Sequence, residues 1–331
     1  MHNLMLLLPL MGLVAIQDIL TGIFGAPSIV ATMIASQAMG PRRSLIFSAF
    51  VQLIGPFLFG VAVASTIGSE VADSFGITPG ILYAALSATI FWMVFTWFLS
   101  IPCSSTHALI GGLVGAVVIG LGPSSIHLIG LLKIILSLTL TAPLALIVGF
   151  IVTKISASVA RHETPHVNHR FNRGQLVTSV FLGLAIGSNN AQNAMGITTL
   201  GLMATGSLSK FEVPIWVVAA SAICLALGNL IGGTRLIRSV GTQFFNIRPI
   251  HGFCAGVSSA TIILVSSLVG GDVSTSHVTS MSIVGAGAAE NLSEVQWIFV
   301  RKVLLTWVLT IPFTGVLAGV LYLCFRALGL H

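Results

Sequence analysis

The sequence predicts an all-α integral membrane protein with two inverted-topology repeats of about five transmembrane segments each. The composition is the first observation behind this prediction. Of 331 residues, 55% are hydrophobic and 7% are charged, whereas a soluble domain carries about 25% charged residues. A chain with so few charges cannot cover its core with a water-facing surface, so it belongs in a lipid bilayer.

The second observation is a series of apolar segments along the whole chain. Most are long enough to cross a bilayer, which takes roughly 20 apolar residues in a helix. The first and sixth are so long, and so rich in Gly and polar residues, that we expect broken helices there. The fourth and ninth are short and rich in Ser, Thr and Gly, so they either span the membrane or re-enter it as hairpins. The ten segments are 4–39, 44–67, 79–100, 101–122, 126–152, 175–207, 213–233, 250–270, 273–289 and 296–328.

The third observation is an internal repeat. Ser104-Ser105-Thr106-His107 in the first half is matched, 170 residues later, by Ser274-Thr275-Ser276-His277 in the second. Five crossings per half is an odd number, so the halves have opposite orientations in the membrane. The predicted domains are therefore a first repeat over 1–153, a polar linker over 154–174 and an inverted repeat over 175–331. Inverted repeats with interrupted helices are typical of secondary transporters.

The basic residues predict the orientation. If each segment crosses once, eleven of the fourteen Lys and Arg residues lie on the side of the linker, leaving Lys133, Lys210 and Arg326 opposite. Because cytoplasmic loops of membrane proteins are enriched in Lys and Arg, we expect a cytoplasmic linker, with both termini outside the cell membrane. The net charge of +6 is spread over short loops, so it does not indicate a nucleic-acid partner.

Polar side chains within apolar segments mark a candidate binding site. Hydroxyls, side-chain amides and free N–H groups at helix N-termini are the donors that an oxyanion needs. The same residues also serve as packing contacts in many membrane helices, so the evidence is the paired set rather than any single residue. The predicted substrate-binding residues are Ser104, Ser105, Thr106, Ser274, Thr275, Ser276, Asn189, Asn190 and Gln192.

Four ionisable residues at membrane depth are candidates for ion coupling, because charge is costly in a bilayer. They are Asp18, His107, His277 and Asp272. No phosphate-binding loop of an ATPase is present, so an ion gradient, a partner or the anion's own gradient must drive transport. The cysteines have no metal-ligand spacing, and no nucleophile–base pair is apparent. We therefore predict no catalytic residue, no metal site and no cofactor beyond H⁺ or Na⁺ as the coupling ion.

At these residues the chain resembles the inorganic phosphate transporter (PiT) family, which includes sulfate permeases. The resemblance rests on 102–111, on 273–278, on the stretch from Gly187 to Gly196, and on Asp18 with Pro41-Arg42. It covers nearly the whole chain. It implies an inverted-repeat carrier, often dimeric, that moves phosphate with Na⁺ or H⁺, with the hydroxyl clusters and the Asn/Gln stretch facing the anion.

Two acidic positions of the family's motifs are neutral here. The first-half motif places Phe24, Gly25 and Ser28 where the family carries His/Asn, Asp and Asn, and Asn190 replaces the second-half Asp. Ser28 keeps a polar group and is included among the predicted substrate-binding residues. Fewer carboxylates weaken binding of a hard cation such as Na⁺, so Asp18 or the paired histidines are candidates to carry a proton instead.

The main prediction is a secondary transporter of inorganic phosphate that works by alternating access. The alternatives are a permease of the same fold for sulfate or a related oxyanion, and a membrane scaffold or sensor that has lost transport. The predicted partners are phosphate or sulfate, the lipid bilayer and a second copy of the chain in a homodimer.

Overall fold

The fold was obtained as a computed structural model, and it describes residues 2–72, 74, 76–101, 103–160, 167–232, 237 and 247–329. Pro102 and the middle of the predicted linker lie outside the described residues. β-structure within them is confined to an isolated bridge between Ala72 and Ile126. The α-helices are α1 (His2–Ala35), α2 (Pro41–Ile54), α3 (Ala62–Ser65), α4 (Pro79–Phe98), α5 (Ser105–Leu121), α6 (Leu128–Ala160), α7 (Val167–Ala204), α8 (Ile215–Ile231), α9 (Pro249–Leu268), α10 (Thr275–Glu290) and α11 (Trp297–Ala327).

Several of these helices are long and apolar enough to cross a membrane. Among the described residues, α1, α4, α6, α9 and α11 meet that condition, and α5 and α8 are shorter apolar helices. Large apolar side chains cover the outer faces of α6 and α11, where Ile129 and Val308 are 85% and 72% exposed. An exposed apolar surface of this extent suits a lipid environment, so the chain is a multi-pass membrane protein.

The predicted breaks in the first and sixth segments are not observed, because α1 and α7 are each continuous helices. Their glycines serve helix packing instead. A Cβ at Gly22 would lie 2.2 Å from the Leu225 carbonyl oxygen, and one at Gly187 would lie 2.5 Å from that of Gln52. The break lies in the second segment, where Pro41–Phe57 and Ala62–Glu70 meet at 65°.

The fourth and ninth segments form the returning arms of two hairpins, α4–α5 and α9–α10. In the first hairpin, a Cβ at Gly120 near the end of α5 would lie 3.0 Å from the side chain of Ile81 near the start of α4. In the second, Glu290 at the end of α10 pairs with Arg248, the residue before α9. Each hairpin thus begins and ends on the same side of the molecule, as a re-entrant hairpin does.

The two halves are interlocked. The last helix of the first half, α6, packs along α10, and the last helix of the second half, α11, packs along α5. The helices approach so closely that a Cβ at Gly285 would lie 2.1 Å from the Leu146 carbonyl oxygen, and one at Gly115 would lie 2.1 Å from that of Gly315. Small residues allow such close backbone contact between membrane helices.

The order of contacts along α6 shows that the hairpins enter from opposite sides. Near its start, Gly130 packs on Glu70, on the side where the first hairpin opens. The Ser137 side chain lies next to Gly271, which is in the tip of the second hairpin. Further along, Gly149 packs on Ser282 in the middle of α10. The open end of the second hairpin is therefore at the far end of α6.

The repeat predicted from sequence is visible in the helix boundaries. Pro79–Phe98 and Pro249–Leu268 have equal lengths and lie 170 residues apart. The turn that follows each helix contains a left-handed residue at the matching place, Ser100 with φ of 58° and Gly270 with φ of 74°. The same local geometry thus occurs in both hairpin tips.

Candidate functional site

The site begins at the tip of the first hairpin, where Ser104 caps α5. Its backbone is extended, and its Oγ accepts a hydrogen bond from the His107 backbone N–H at 3.1 Å. The same oxygen lies 2.8 Å from His107 Nδ1. A serine cap of this kind satisfies one free N–H group at the start of a helix and leaves others available.

The second hairpin repeats this arrangement at α10. Ser274 has an extended backbone, and its Oγ accepts from the His277 backbone N–H at 3.4 Å. Each tip therefore presents the N-terminus of a helix with hydroxyl side chains in its first turn, Ser105 and Thr106 in one case and Thr275 and Ser276 in the other. The positive end of a helix dipole favours bound anions.

The two helix starts meet. The rings of His107 and His277 have centroids 4.4 Å apart, and the His277 ring also stacks on Trp307 of α11, with centroids 3.4 Å apart. These three rings line a crevice of about 290 Å³ whose other walls are mostly apolar residues of α6 and α11, among them Leu304 and Val308. The histidines therefore lie where the two tips contact α6 and α11.

The polar stretch of α7 joins both tips. Asn193 Nδ2 donates to Thr106 Oγ1 of the first hairpin at 3.0 Å. Thr275 Oγ1 of the second hairpin donates to Asn190 Oδ1 at 3.2 Å. Because these amides are three residues apart on one helix, α7 is hydrogen-bonded to both helix starts at once in this conformation. Asn193 lies in the polar stretch that the sequence indicated but was not among the predicted substrate-binding residues, and Trp307 was missed altogether.

Asn189 connects the second tip to the same helix. Its Nδ2 donates to the Val273 carbonyl oxygen at 2.9 Å and lies 3.4 Å from Asp272 Oδ1. Its Oδ1 accepts from Ser267 Oγ at 2.9 Å. Asp272 is fully buried, and its second carboxyl oxygen, Oδ2, has no hydrogen-bond partner among the described residues. This carboxyl group thus lies within the cluster.

Asp18 occupies a different place. It is buried in α1, and Ser221 of α8 lies beside its carboxyl group. Within the part of the chain that the structure describes, its Oδ1 has no hydrogen-bond partner. The side chain beside the Asp18 carboxyl group thus belongs to α8 and not to either hairpin tip.

The structure also describes the surroundings of Gln192 and Ser28, two other predicted substrate-binding residues. Gln192 points its amide oxygen at α3, where it accepts from the backbone N–H groups of Val63 at 2.8 Å and Ala64 at 3.4 Å. Gln192 therefore caps the start of α3, in the bent second segment. Ser28 is buried in α1, one turn after Gly25.

Gln52 is a further polar residue near the cluster, and it was missed in the sequence. A Cβ at Gly25 would lie 3.4 Å from both Gln52 Nε2 and Asn190 Nδ2. The only hint in the sequence is a four-residue spacing of polar residues, Ser44, Ser48 and Gln52, which all prove to be buried on α2. Where the motifs of the resembling family carry acidic residues, the structure thus has two neutral amides, those of Gln52 and Asn190.

The comparisons with known proteins agree with this architecture. The model of the phosphate transporter family matches residues 21–163 and again 156–318. A probable low-affinity inorganic phosphate transporter of Rhizobium meliloti (strain 1021) is 34% identical over 318 residues, covering 95% of each chain. One of Bacillus subtilis (strain 168) is 35% identical over 310 residues, covering 92% of each.

A solved structure shares the fold. That structure, "The sodium-dependent phosphate transporter", superposes with a TM-score of 0.87 over 98% of this chain and 99% of that chain, at 20% sequence identity. At that identity the likeness concerns the fold alone. From the two family matches and the full-length relatives, the chain belongs to the phosphate transporter family.

Proposed function

We propose that this protein carries inorganic phosphate across the cell membrane as a secondary transporter, by alternating access. The observation that carries the proposal is the meeting of two hydroxyl-capped helix starts, brought by hairpins from opposite sides. The His107 and His277 rings mark this meeting at 4.4 Å. An anion held there is reached from either face by moving one hairpin.

The anion is bound by neutral donors. The donors are the hydroxyls of Ser105, Thr106 and Thr275 and the free N–H groups of the two helix starts. The Thr275 hydroxyl turns its one proton from Asn190 Oδ1 to the anion when the anion binds. The partners described above include no Lys or Arg, so binding relies on hydrogen bonds to a desolvated oxyanion. Such charge-assisted hydrogen bonds are stronger than neutral ones. The curated relatives are named phosphate transporters, which supports phosphate as the cargo.

A proton, rather than Na⁺, couples this transport. A hard cation is held by carboxylate and carbonyl oxygens, and the positions of two motif acids are occupied by Gly25 and Asn190, beside Gln52. Asp272 has a carboxyl oxygen without a partner among the described residues, within the anion cluster, and is the residue that carries the proton. The sodium dependence in the name of the solved structure is a property of that other protein.

The remaining predictions from the sequence are also part of this proposal. The protein is a carrier without catalytic activity, its linker is cytoplasmic and both termini lie outside. The division into 1–153, 154–174 and 175–331 follows from the repeat, and a homodimer is what the family resemblance implies.

The decisive experiment measures labelled phosphate uptake into proteoliposomes for the wild type and for Ser105→Ala with Thr275→Ala. A hydrogen bond to a charged group is worth about 1.5–3 kcal/mol, so losing two lowers uptake at least roughly 100-fold. The matched control is Thr261→Ala with Thr306→Ala, which removes two exposed hydroxyls that bond to their own helices. Normal uptake in the first double variant would remove both tips from the site.

The same vesicles test the coupling ion. We expect uptake to follow an imposed pH gradient and to ignore a Na⁺ gradient of equal size. Uptake that follows Na⁺ and ignores pH would overturn proton coupling while leaving the phosphate site in place.

A further inference from the structure

Gln52 has a feature that the transport site described above does not explain. Its side chain is fully buried on α2, yet among the described residues neither its amide nitrogen nor its amide oxygen has a hydrogen-bond partner. Buried polar atoms in proteins are nearly always hydrogen-bonded, and an exception calls for an explanation such as a ligand. In Gln52, both a donor and an acceptor lack a partner among the described residues.

The position of Gln52 connects it to the anion cluster. Its Nε2 and Asn190 Nδ2 lie at the same distance, 3.4 Å, from the place where a Gly25 Cβ would be. Asn190 in turn accepts the hydrogen bond from Thr275 at the start of α10. Gly25 of α1 thus lies beside both the Gln52 amide of α2 and the Asn190 amide of α7, and a methyl group at Gly25 would touch both amides.

The chemistry of a free amide distinguishes between oxyanions. Its N–H group donates to any anionic oxygen, but its carbonyl oxygen accepts only from a group that carries a proton. At neutral pH, inorganic phosphate keeps at least one P–OH group, whereas sulfate carries none. A phosphate ion therefore satisfies both atoms of the amide, whereas a sulfate ion leaves the buried acceptor unpaired and facing an anionic oxygen.

We propose that Gln52 contacts the transported anion and selects protonated oxyanions over fully ionised ones, so that phosphate and arsenate are carried and sulfate is rejected. This inference rests on the proposed transport function and names the specificity of the same site. A site that hydrogen-bonds a substrate hydroxyl rejects analogues that lack it far more strongly than an apolar pocket does.

The test compares phosphate uptake and its competition by cold arsenate, sulfate and selenate in proteoliposomes of the wild type and of Gln52→Met. Methionine has nearly the same size and lacks both hydrogen-bonding groups. We expect the KM for phosphate to rise roughly 10- to 100-fold. The inhibition constant for sulfate should stay the same or fall, so that the preference for phosphate over sulfate collapses.

Two further variants separate a contact with the anion from a packing role. Gln52→Glu keeps an acceptor and should keep the discrimination against sulfate, although its charge weakens binding of every anion. Gln175→Met is the matched control, because Gln175 is also fully buried but lies at the start of α7, bonded to Ser36. It should keep the wild-type ratio of phosphate to sulfate.

The outcomes distinguish this inference from the function on which it rests. If the wild type transports no oxyanion, the proposed function fails. If the wild type transports phosphate and Gln52→Met keeps the wild-type ratio of phosphate to sulfate, or loses both anions equally, selection by Gln52 is overturned and the transport function stands.

Discussion

Two buried aspartates show how the surroundings of a residue decide its role. Asp18 lies between α1 and α8, with Ser221 beside it. Asp272 lies at the tip of the second hairpin, where Asn189 contacts one carboxyl oxygen and the other has no partner among the described residues. Of the two, Asp272 is the one that adjoins the groups proposed to bind the anion. A proton on Asp272 therefore changes the charge next to the anion, which is the physical requirement for coupling.

Replacing Asp272 by Asn tests this at the residue scale. The Asn amide has nearly the same shape as the Asp carboxyl group but takes up no proton at the pH of the transport assay. Accumulation of phosphate driven by a pH gradient should therefore be lost. Phosphate exchange between equal concentrations on both sides needs no net proton movement, and it should fall much less. Asp18→Asn serves as the comparison variant. Undiminished accumulation in Asp272→Asn would exclude this residue as the proton carrier.

At the scale of elements, glycines set the distance between the hairpins and the helices that support them. The α5 helix contacts α11 of the other half at Gly115, and α10 contacts α6 at Gly285, in both cases against a backbone carbonyl. Each helix start is thus held by the last helix of the opposite half. The positions of the hydroxyls at Ser105 and Thr275 depend on these two contacts.

We expect Gly115→Ala and Gly285→Ala each to destabilise the folded protein by about 1–3 kcal/mol, because an added Cβ would overlap a carbonyl oxygen that cannot move without its helix. Thermal unfolding in detergent, followed by size-exclusion chromatography, measures the change. The control is Gly12→Ala, where a Cβ meets no atom of the described structure within 4 Å. That variant should be neutral or slightly stabilising, since Ala favours a helix. Equal stability of all three would show that these contacts are looser than described.

At the scale of the whole molecule, the hairpins open on opposite faces. The first hairpin ends near Ser124, and the second ends near Ser293, both exposed. The positive-inside rule assigns the face of Ser293 to the cytoplasm, because Arg301 and Lys302 follow it. The orientation and the inverted repeat therefore make one joint prediction about accessibility.

Cysteine labelling tests this arrangement. In a background in which the four native cysteines are replaced, Ser124→Cys should react with a membrane-impermeant maleimide added to intact cells, and Ser293→Cys should react only after the membrane is opened. The native residues are Cys103, Cys224, Cys254 and Cys324. Labelling of both positions from the same side would contradict the inverted topology.

Three properties of this protein could be predicted before its fold was known: the membrane environment, the inverted repeat and the family. These properties follow from composition, from the 170-residue spacing of Ser104–His107 and Ser274–His277, and from the local order of residues. A Ser directly before a predicted helix also predicts an N-cap, because the bond is local: the Ser104 hydroxyl accepts from the backbone N–H of His107, three residues later. Local chemistry of this kind needs no knowledge of the neighbouring helices.

The contacts of each polar residue became known only from the packing of the helices in three dimensions. The sequence could not show that Gly22 and Gly187 serve close packing within continuous helices, because the carbonyls that they contact belong to distant segments. It could not show that Gln192 caps the bent second segment, or that the amides of Gln52 and Asn190 both lie beside Gly25. These relations depend on how helices from both halves cross, and the distance between two helices is not encoded in the spacing of residues along either one.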